Sequence, residues 1–181
     1  ASTIFYNPAG MSRLSGKQFV VAGSMIKPSI KFTSSTGVPD GGDAGSWAFV
    51  PNLYFSAQVH PQFHVGFGIN VPFGLTTKYD ATWVGKEQGI ESHIETINFN
   101  PSMSYQVNDD VSIGLGVSYQ YIKGELTSNV VPTASIATLS GTDDAWGYNL
   151  GILTSLSSQT RVGFAYRSAI KYNLTGQLEF T

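Results

Sequence analysis

The fold class follows from one stretch, Val111-Ser112-Ile113-Gly114-Leu115-Gly116-Val117-Ser118-Tyr119-Gln120-Tyr121-Ile122. Large apolar side chains occupy the odd positions up to Tyr121, and Ser, Gly or Gln occupies the even positions between them. A period of two residues predicts a β-strand, because successive side chains of a strand point to opposite faces. The stretch exceeds the ~5 to 6 residues of an average strand and fits the ~9 to 11 residues of a strand that crosses a bilayer at a tilt.

The same alternation recurs along the whole chain. Clear repeats begin at Phe63, Ile97, Trp146 and Val162, and weaker ones cover residues 17–32 and 47–58. Together they predict about seven strands. The connections alternate between short turns at 59–62, 107–110 and 157–160 and longer loops at 33–46, 76–92 and 128–142. Outer-membrane barrels have this arrangement, with short periplasmic turns and long extracellular loops.

Composition indicates a membrane barrel. Charged residues are only 12% of the 181 residues and aromatic residues are 13%. The mean hydropathy is -0.01, and no segment approaches the ~18 to 20 apolar residues of a membrane-spanning helix. A closed barrel satisfies its backbone polar groups in lipid with strands that are only half apolar. Because the polar face carries Gly, Ser, Asn and Gln rather than charges, we expect Ile113, Leu115 and Val117 to face lipid, and Gly116→Ser on the opposite face to be tolerated.

Several classes of function are disfavoured. The formal net charge is -2, and no cluster of Lys and Arg offers a surface for nucleic acid. The chain has no Cys, and His60, His64 and His93 are too scattered to predict a metal site. Neither a Gly-x-Ser-x-Gly motif nor a phosphate loop is present. We therefore predict no catalytic residues, no metal and no cofactor.

Four segments carry a resemblance to a known family. They are Phe5-Tyr6-Asn7-Pro8-Ala9-Gly10-Met11, Phe49-Val50-Pro51-Asn52-Leu53-Tyr54-Phe55, Val65-Gly66-Phe67-Gly68-Ile69-Asn70-Val71-Pro72-Phe73-Gly74-Leu75 and Phe164-Ala165-Tyr166-Arg167-Ser168-Ala169-Ile170-Lys171-Tyr172. In this order they resemble the FadL-type long-chain fatty-acid transporters of the Gram-negative outer membrane, a family that also includes importers of aromatic hydrocarbons.

The resemblance implies an all-β, antiparallel transmembrane barrel of about fourteen strands around an N-terminal hatch. Residues 1–15 are then the end of the hatch, and residues 16–181 are the first half of the barrel. The implied function is passive uptake of long-chain fatty acids or other hydrophobic compounds, with lateral release into outer-membrane lipid. The complete protein is expected to be a monomer and not an enzyme.

Candidate site residues lie in the hatch and the third strand. Pro72 removes a donor from an apolar strand and Gly74 permits a turn, which predicts either an interior kink or a strand that ends at Val71. The resemblance favours the kink. It implies a lateral gate at Asn70, Pro72, Phe73 and Gly74, and a pocket floor formed by Asn7, Pro8 and Ala9.

Three cations and one loop stay open to two interpretations each. Lys123, Arg161 and Arg167 are either partners of a fatty-acid carboxylate or side chains that are solvated in the lumen or paired with carboxylates on neighbouring strands. The apolar loop 128–142 is either a ligand-capture surface or a cover packed over the barrel mouth.

Two other functions also remain open. The chain could be an outer-membrane lipase or acyltransferase that places His64 or His93 beside a Ser, or a soluble lipid-binding barrel.

Overall fold

The computed structural model describes residues 1–131 and 135–181 as one antiparallel sheet with a short helical segment against it. A helical turn, α1 (Thr3–Tyr6), precedes a 3₁₀-helix (Pro8–Arg13). The strands are β1 (Lys17–Ile26), β2 (Ala48–His60), β3 (Phe63–Asn70), β4 (Gly74–Lys78), β5 (Glu91–Gln106), β6 (Val111–Val130), β7 (Ser135–Ser155), β8 (Arg161–Arg167) and β9 (Thr175–Phe180). Among the described residues, none of the helices is long and apolar enough to cross a membrane.

The nine strands occupy seven positions along the wall, in the order β1-β2-β3-β5-β6-β7-β8. β4 continues the position of β3 against β5, and β9 continues that of β8 against β7. The seven strands predicted from the sequence are therefore confirmed. Within the described residues, the two end positions of the sheet do not pair with each other. The sheet is an open half-barrel.

The two faces of the sheet differ as the alternation predicts. On β6, Ile113, Leu115 and Val117 are 44%, 40% and 39% exposed, whereas Ser112 and Ser118 are buried. We call the face that carries Ser112 and Ser118 the inner face, because residues 3–14 pack against it, and we call the opposite face the outer face. On the outer face, Phe99, Tyr119 and Trp146 form a row across β5, β6 and β7, with ring centroids 6.3 and 5.0 Å apart. Such aromatic rows mark the interfaces of membrane barrels.

The helical segment is held by its own cap and by the wall. Asn7 precedes the 3₁₀-helix, and its side-chain oxygen accepts the N–H of Ala9 at 3.1 Å. Ile4 and Met11 pack against Tyr54 to form the buried apolar cluster of the chain. Glycines on β3 make room for this cluster, since a Cβ on Gly66 would lie 2.5 Å from Met11 Sδ. This segment therefore fits a wall that is hollowed by small residues.

The structure differs from the sequence predictions in several strands, beginning with β1, which ends at Ile26 rather than at residue 32. Most of the predicted loop 128–142 is strand, because β6 runs to Val130 and β7 begins at Ser135 in one long ladder. Residues 132–134 of that loop lie outside the described residues. A strand at Thr175–Phe180 was not predicted, because its alternation is short and its polar positions include Glu179. The long β6-β7 hairpin extends the inner face at the end of the sheet that carries the long loops, which we call the long-loop end.

Candidate functional site: a third-strand opening and an apolar groove

The third wall strand is interrupted between β3 and β4. Asn70 pairs with Asn98, and Gly74 pairs with Glu95. Three residues, 71–73, therefore lie opposite only two, 96–97, which is a bulge of one extra residue. The Thr96 hydroxyl accepts the N–H of Phe73 at 2.9 Å and donates to the Phe73 carbonyl at 2.7 Å. A side chain thus replaces part of the missing ladder beside β5.

On its other side the interruption leaves the wall unpaired. The β2-β3 ladder begins at Asn52 and Asn70, whereas residues 48–51 pair with β1 alone among the described residues. Pairing across the gap returns at the isolated bridge between Gly45 and Thr77. We call the unpaired part of the wall, between residues 46–51 and 71–76, the window. An interior kink, rather than a strand end at Val71, is what the structure contains.

Pro72 and Gly74 contribute unequally to this kink. Pro72 has no N–H and so cannot donate to a ladder. Gly74 is not among the glycines with positive φ, and a Cβ there would come no closer than 3.7 Å to another atom. The backbone at position 74 therefore does not require glycine, contrary to the expected turn. The interruption therefore combines a residue that lacks an N–H with one extra residue.

Beside the window, the inner face changes from polar to apolar. Three glycines, Gly124, Gly141 and Gly176, lie in register on β6, β7 and β9. Leucines occupy the next inner row in the same register, formed by Leu126, Leu139 and Leu178. Because glycines leave the sheet surface bare, the bulky neighbours enclose a cavity of about 210 Å³ that Ile94, Ile122 and Leu174 also line. This is the apolar groove.

The groove is continuous with two further cavities. Towards the window it shares Ile94 and Ile122 with a cavity of about 340 Å³ that Phe73, Gly74 and Leu75 also line. Towards the long-loop end it shares Leu126 and Leu139 with a cavity of about 530 Å³. Volumes of this order accommodate small hydrophobic ligands. An apolar path therefore runs along the inner face from the loops to the window.

An aromatic cluster covers the loop end of this path. Tyr79 and Trp83 stack with ring centroids 4.1 Å apart, and Phe32 meets Trp83 edge to face at 5.8 Å. The Trp83 indole N–H donates to the Gly89 carbonyl at 3.0 Å. Both stacked rings line the cavity of about 530 Å³. The loop between β4 and β5, rather than the predicted loop 128–142, provides the apolar loop surface.

The helical segment packs on the inner face on the short-turn side of the apolar groove. Asn7 donates through its side chain to the carbonyls of Ile152 and Phe164, at 3.2 and 3.3 Å. Pro8 and Ala9 are buried against the wall, and the backbone of Ala9 lies where a side chain on Gly114 would be. The Asn-Pro-Ala stretch is thus fixed to β6, β7 and β8 below the apolar groove.

Residues 1–181 match the family described as outer membrane protein transport protein (OMPP1/FadL/TodX). The chain belongs to this family. Outer membrane protein P1 of Haemophilus influenzae is 30% identical over 97% of this chain and 49% of its own length. The long-chain fatty acid transport protein of Escherichia coli K12 is 26% identical over 97% of this chain and 47% of its own. The chain spans about half the length of these relatives.

Solved structures have the same fold. A Pseudomonas aeruginosa FadL homologue superimposes with a TM-score of 0.77 at 24% identity, over 97% of this chain and 50% of that one. A deltaS2 mutant of the TodX monoaromatic hydrocarbon channel gives 0.81 at 20% identity, over 99% and 56%. As a member of the FadL/TodX family, the chain is an outer-membrane β-barrel protein of Gram-negative bacteria.

The three candidate cations have different positions. Arg167 faces inward, where its guanidinium donates to the Phe5 carbonyl and lies 3.8 Å from the centroid of the Phe5 ring. Arg161 is exposed beside Ser155 at the end of the sheet that carries the short turns. Lys123 lies on the outer face, with its Nζ 3.9 Å from Glu125. The structure brings none of these cations together, and it places Arg167 against the helical segment.

The two histidines of the predicted enzyme alternative have other neighbours. His64 Nε2 lies 3.1 Å from the Leu14 carbonyl. His93 Nδ1 lies 2.7 Å from the hydroxyl of Thr76, its direct partner in the β4-β5 ladder. Within the described residues, neither histidine has a hydrogen bond to a serine, and no group of three or more His, Asp or Glu could hold a metal ion.

Sequence reasoning missed the apolar groove. Its signal is present in β6, where Ile122 and Leu126 continue the positions of Ser118 and Gln120 on the inner face. A count of alternation that stops at Ile122 does not reveal this change of polarity. The sequence predicts a loop at 128–142, and a loop prediction does not place Leu139 on a face.

The expected tolerance of Gly116→Ser is also not supported. Gly116 does lie on the inner face, but the inner face here is packed rather than open. A Cβ on Gly116 would collide with Asn149 Oδ1 and Ser102 Oγ. Asn149 also accepts the side-chain N–H of Asn100 at 3.1 Å. We therefore expect a substitution at Gly116 to disturb this network.

Proposed function

We propose that the complete protein is a passive channel for hydrophobic compounds, such as long-chain fatty acids or aromatic hydrocarbons, that releases its ligand sideways into outer-membrane lipid. The observation that carries this proposal is the continuity of the apolar groove with the window at Pro72. A hydrophobic ligand gains little by entering a water-filled pore, whereas a groove that leads to a gap in the wall connects it to lipid. We do not propose an enzymatic activity.

The relatives support the class of ligand. One is named as a long-chain fatty acid transport protein and another as a monoaromatic hydrocarbon channel. The groove suits either ligand, since aliphatic side chains dominate its lining. In this proposal the ligand moves from the aromatic cluster at the loops, along the groove, to Asn70, Pro72, Phe73 and Gly74. We further propose that the complete protein acts as a monomer.

We assign residues 1–15 to the end of a hatch and residues 16–181 to the barrel wall. Asn7, Pro8 and Ala9 form the floor of the ligand path. Arg167 holds the hatch through Phe5 and is therefore a positioning residue rather than a partner of the fatty-acid carboxylate. The exposed positions of Arg161 and Lys123 favour solvent and surface contacts for both side chains.

Photo-crosslinking tests the path. A fatty acid that carries a diazirine on its chain is added to cells that display the full-length protein, and the adducts are mapped by mass spectrometry after illumination. We expect adducts at the groove, on Ile94, Ile122 and Leu126, and at the window, on Phe73 or Leu75. Adducts confined to the hatch and to the short-turn end of the wall would instead support passage straight down the barrel and would overturn lateral release.

A further inference from the structure

A second interruption occurs in the seventh wall strand. Arg167 pairs with Asn149 and Thr175 pairs with Thr142, so residues 168–174 lie opposite residues 143–148 without a ladder. Both ends of the segment are held. The Ser168 N–H donates to the Tyr148 carbonyl at 2.9 Å, and the Asn173 N–H donates to the Asp143 carboxylate at 2.5 Å. The segment is therefore fixed to β7 at each end and free of the ladder between them.

The segment folds onto the inner face. A Cβ on Gly147 would lie 2.8 Å from Ile170 Cγ1, so Ile170 fills the space that a side chain there would take. Leu174 lies over the glycine row, with its Cδ2 4.0 Å from the Cβ position of Gly124. Glycine at these positions allows the strand to leave the wall and enter the barrel.

The two interruptions end at the same level of the sheet. Gly74 pairs with Glu95, Glu95 with Lys123, Lys123 with Thr142 and Thr142 with Thr175. One row of paired residues therefore joins the first residue of β4 to the first residue of β9. As a result, Phe73 and Tyr172, from the two inward segments, line the same cavity of about 340 Å³.

Two side-chain hydroxyls line this cavity among the described residues, and that of Tyr172 is the one whose proton is not engaged. The other hydroxyl, on Thr96, is engaged with the backbone of Phe73. Within the part of the chain that the structure describes, the buried Tyr172 hydroxyl has no partner at hydrogen-bond distance and angle. The Gln120 side chain still interacts with it as a donor to the phenol oxygen, so the hydroxyl proton itself has no acceptor. A buried donor without an acceptor is costly, because it has lost its hydrogen bond to water. A ligand that brings an acceptor would restore the bond.

We propose that Tyr172 is a specificity-determining residue that donates a hydrogen bond to the polar end of the ligand in the cavity beside the window. The ligand it selects is an amphiphile with a hydrocarbon chain and one oxygen acceptor, such as a carboxylate or an ester carbonyl. An alkane of equal length has no acceptor and gains nothing from this hydroxyl. This inference rests on the proposed function of the path as a ligand route.

Binding measurements with Tyr172→Phe test the proposal, because the substitution removes only the hydroxyl. Purified full-length protein in detergent is titrated with a radiolabelled fatty acid, its methyl ester and the alkane of the same chain length. We expect the variant to bind the acid and the ester about 3 to 10 times more weakly and the alkane unchanged. Tyr166→Phe is the matched control, since Tyr166 lies on β8 and is 48% exposed on the outer face.

Two results would overturn the proposal. One is an unchanged affinity for the acid and the ester, and the other is an equal loss for all three ligands, which would mean that Tyr172 only packs. Failure of lateral release is a separate outcome. If lateral release is wrong, closing the window will leave uptake unimpaired. The preference for amphiphiles over alkanes can still depend on Tyr172 in that case.

Discussion

Single glycines set how closely the hatch approaches the wall. Side chains at Gly114 and Gly151 would occupy the positions of the Ala9 backbone and of Asn7 Oδ1. Backbone atoms cannot move aside as a flexible side chain can, so Gly114 restricts the inner wall to glycine. At Gly151 a side chain would displace Asn7, whose amide donates to the carbonyls of Ile152 and Phe164. The sequence shows that the polar face is rich in glycine, but it does not show which glycines face the hatch.

We predict that Gly114→Ala and Gly151→Ala loosen the hatch without preventing barrel assembly. Hydrogen exchange of residues 3–14 in the full-length protein should become faster in both variants. Gly124→Ala is the matched control on the same strand, because its nearest neighbour would be 4.0 Å away. Unchanged exchange in the two variants would mean that the hatch does not rest on these glycines.

Asp43 organises the loop between β1 and β2 from a position outside the wall. Its carboxylate accepts the backbone N–H groups of Ile30 and Gly45, at 2.8 and 3.0 Å, and the Ser29 hydroxyl at 2.8 Å. These hydrogen bonds, led by that of Ile30, lower the pKa of Asp43 from 3.8 to about 2. Gly45 also forms the bridge to Thr77 that bounds the window. The Asp43 carboxylate therefore holds the edge of the window that lies towards the long-loop end.

A lowered pKa means that ionised Asp43 stabilises the folded loop. This contribution is fully present above pH 3.8 and is lost as the pH falls through about 2. We predict that hydrogen exchange of residues 27–47, corrected for its intrinsic pH dependence, rises between these two pH values and that Asp43→Asn abolishes this rise. Asp40→Asn, in the same loop, serves as control. A rise that persists in Asp43→Asn would assign it to another group.

At the scale of the strand, alternation determines which face meets lipid. Leu115 lies on the outer face of β6, midway between the start of the strand at Val111 and the aromatic row at Tyr119. Leu156 follows β7 in an exposed turn. This difference follows from the sequence alone, because period-two alternation and turn residues are both visible there. The absolute position of a strand end is less visible, as the extension of β6 to Val130 demonstrates.

We predict that Leu115→Arg lowers the free energy of unfolding of the full-length protein in lipid vesicles by ~2 to 4 kcal/mol, the cost of a cation near the middle of the bilayer. Leu156→Arg should cost at most ~1 kcal/mol, because the turn lies near or beyond the interface. Denaturant titrations of both variants provide the measurement. Equal losses would contradict the outward orientation of Leu115.

The two interrupted strands differ in how far the sequence predicts them. Pro72 identifies the third-strand kink, because a proline within an apolar strand removes a donor. The support from Thr96 depends on which residue lies opposite, and pairing across strands is not written in local sequence. The seventh-strand segment contains neither proline nor glycine between Ser168 and Leu174. Its departure depends on Gly147 of the neighbouring strand, so only the folded structure reveals it.

At the scale of the whole molecule, the half-barrel and its family were predictable and the ligand path was not. The alternation that predicts strand number and orientation repeats along the chain. A wrong prediction at a single residue, such as the tolerance of Gly116→Ser, therefore does not alter either of them. The path depends on Leu126, Leu139 and Leu178 coming into register from three strands. Register over such distances is set by the complete ladders rather than by any one segment.

Closing the window tests lateral release most directly. Deletion of Pro72 removes the residue that lacks an N–H and, with it, the extra residue of the bulge. The pairs Asn70–Asn98 and Gly74–Glu95 then belong to one continuous register. Deletion of Ser158, in an exposed turn, is the matched control. Pro72→Ala restores the donor but keeps the extra residue, and it should therefore close the window less completely.

The decisive measurement is the initial rate of uptake of a radiolabelled long-chain fatty acid by cells that display equal amounts of folded full-length protein. We predict that deletion of Pro72 reduces the rate towards that of cells without the protein, while deletion of Ser158 leaves it unchanged. Uptake at the original rate through a barrel whose third strand is shown to be continuous would contradict lateral release through the window.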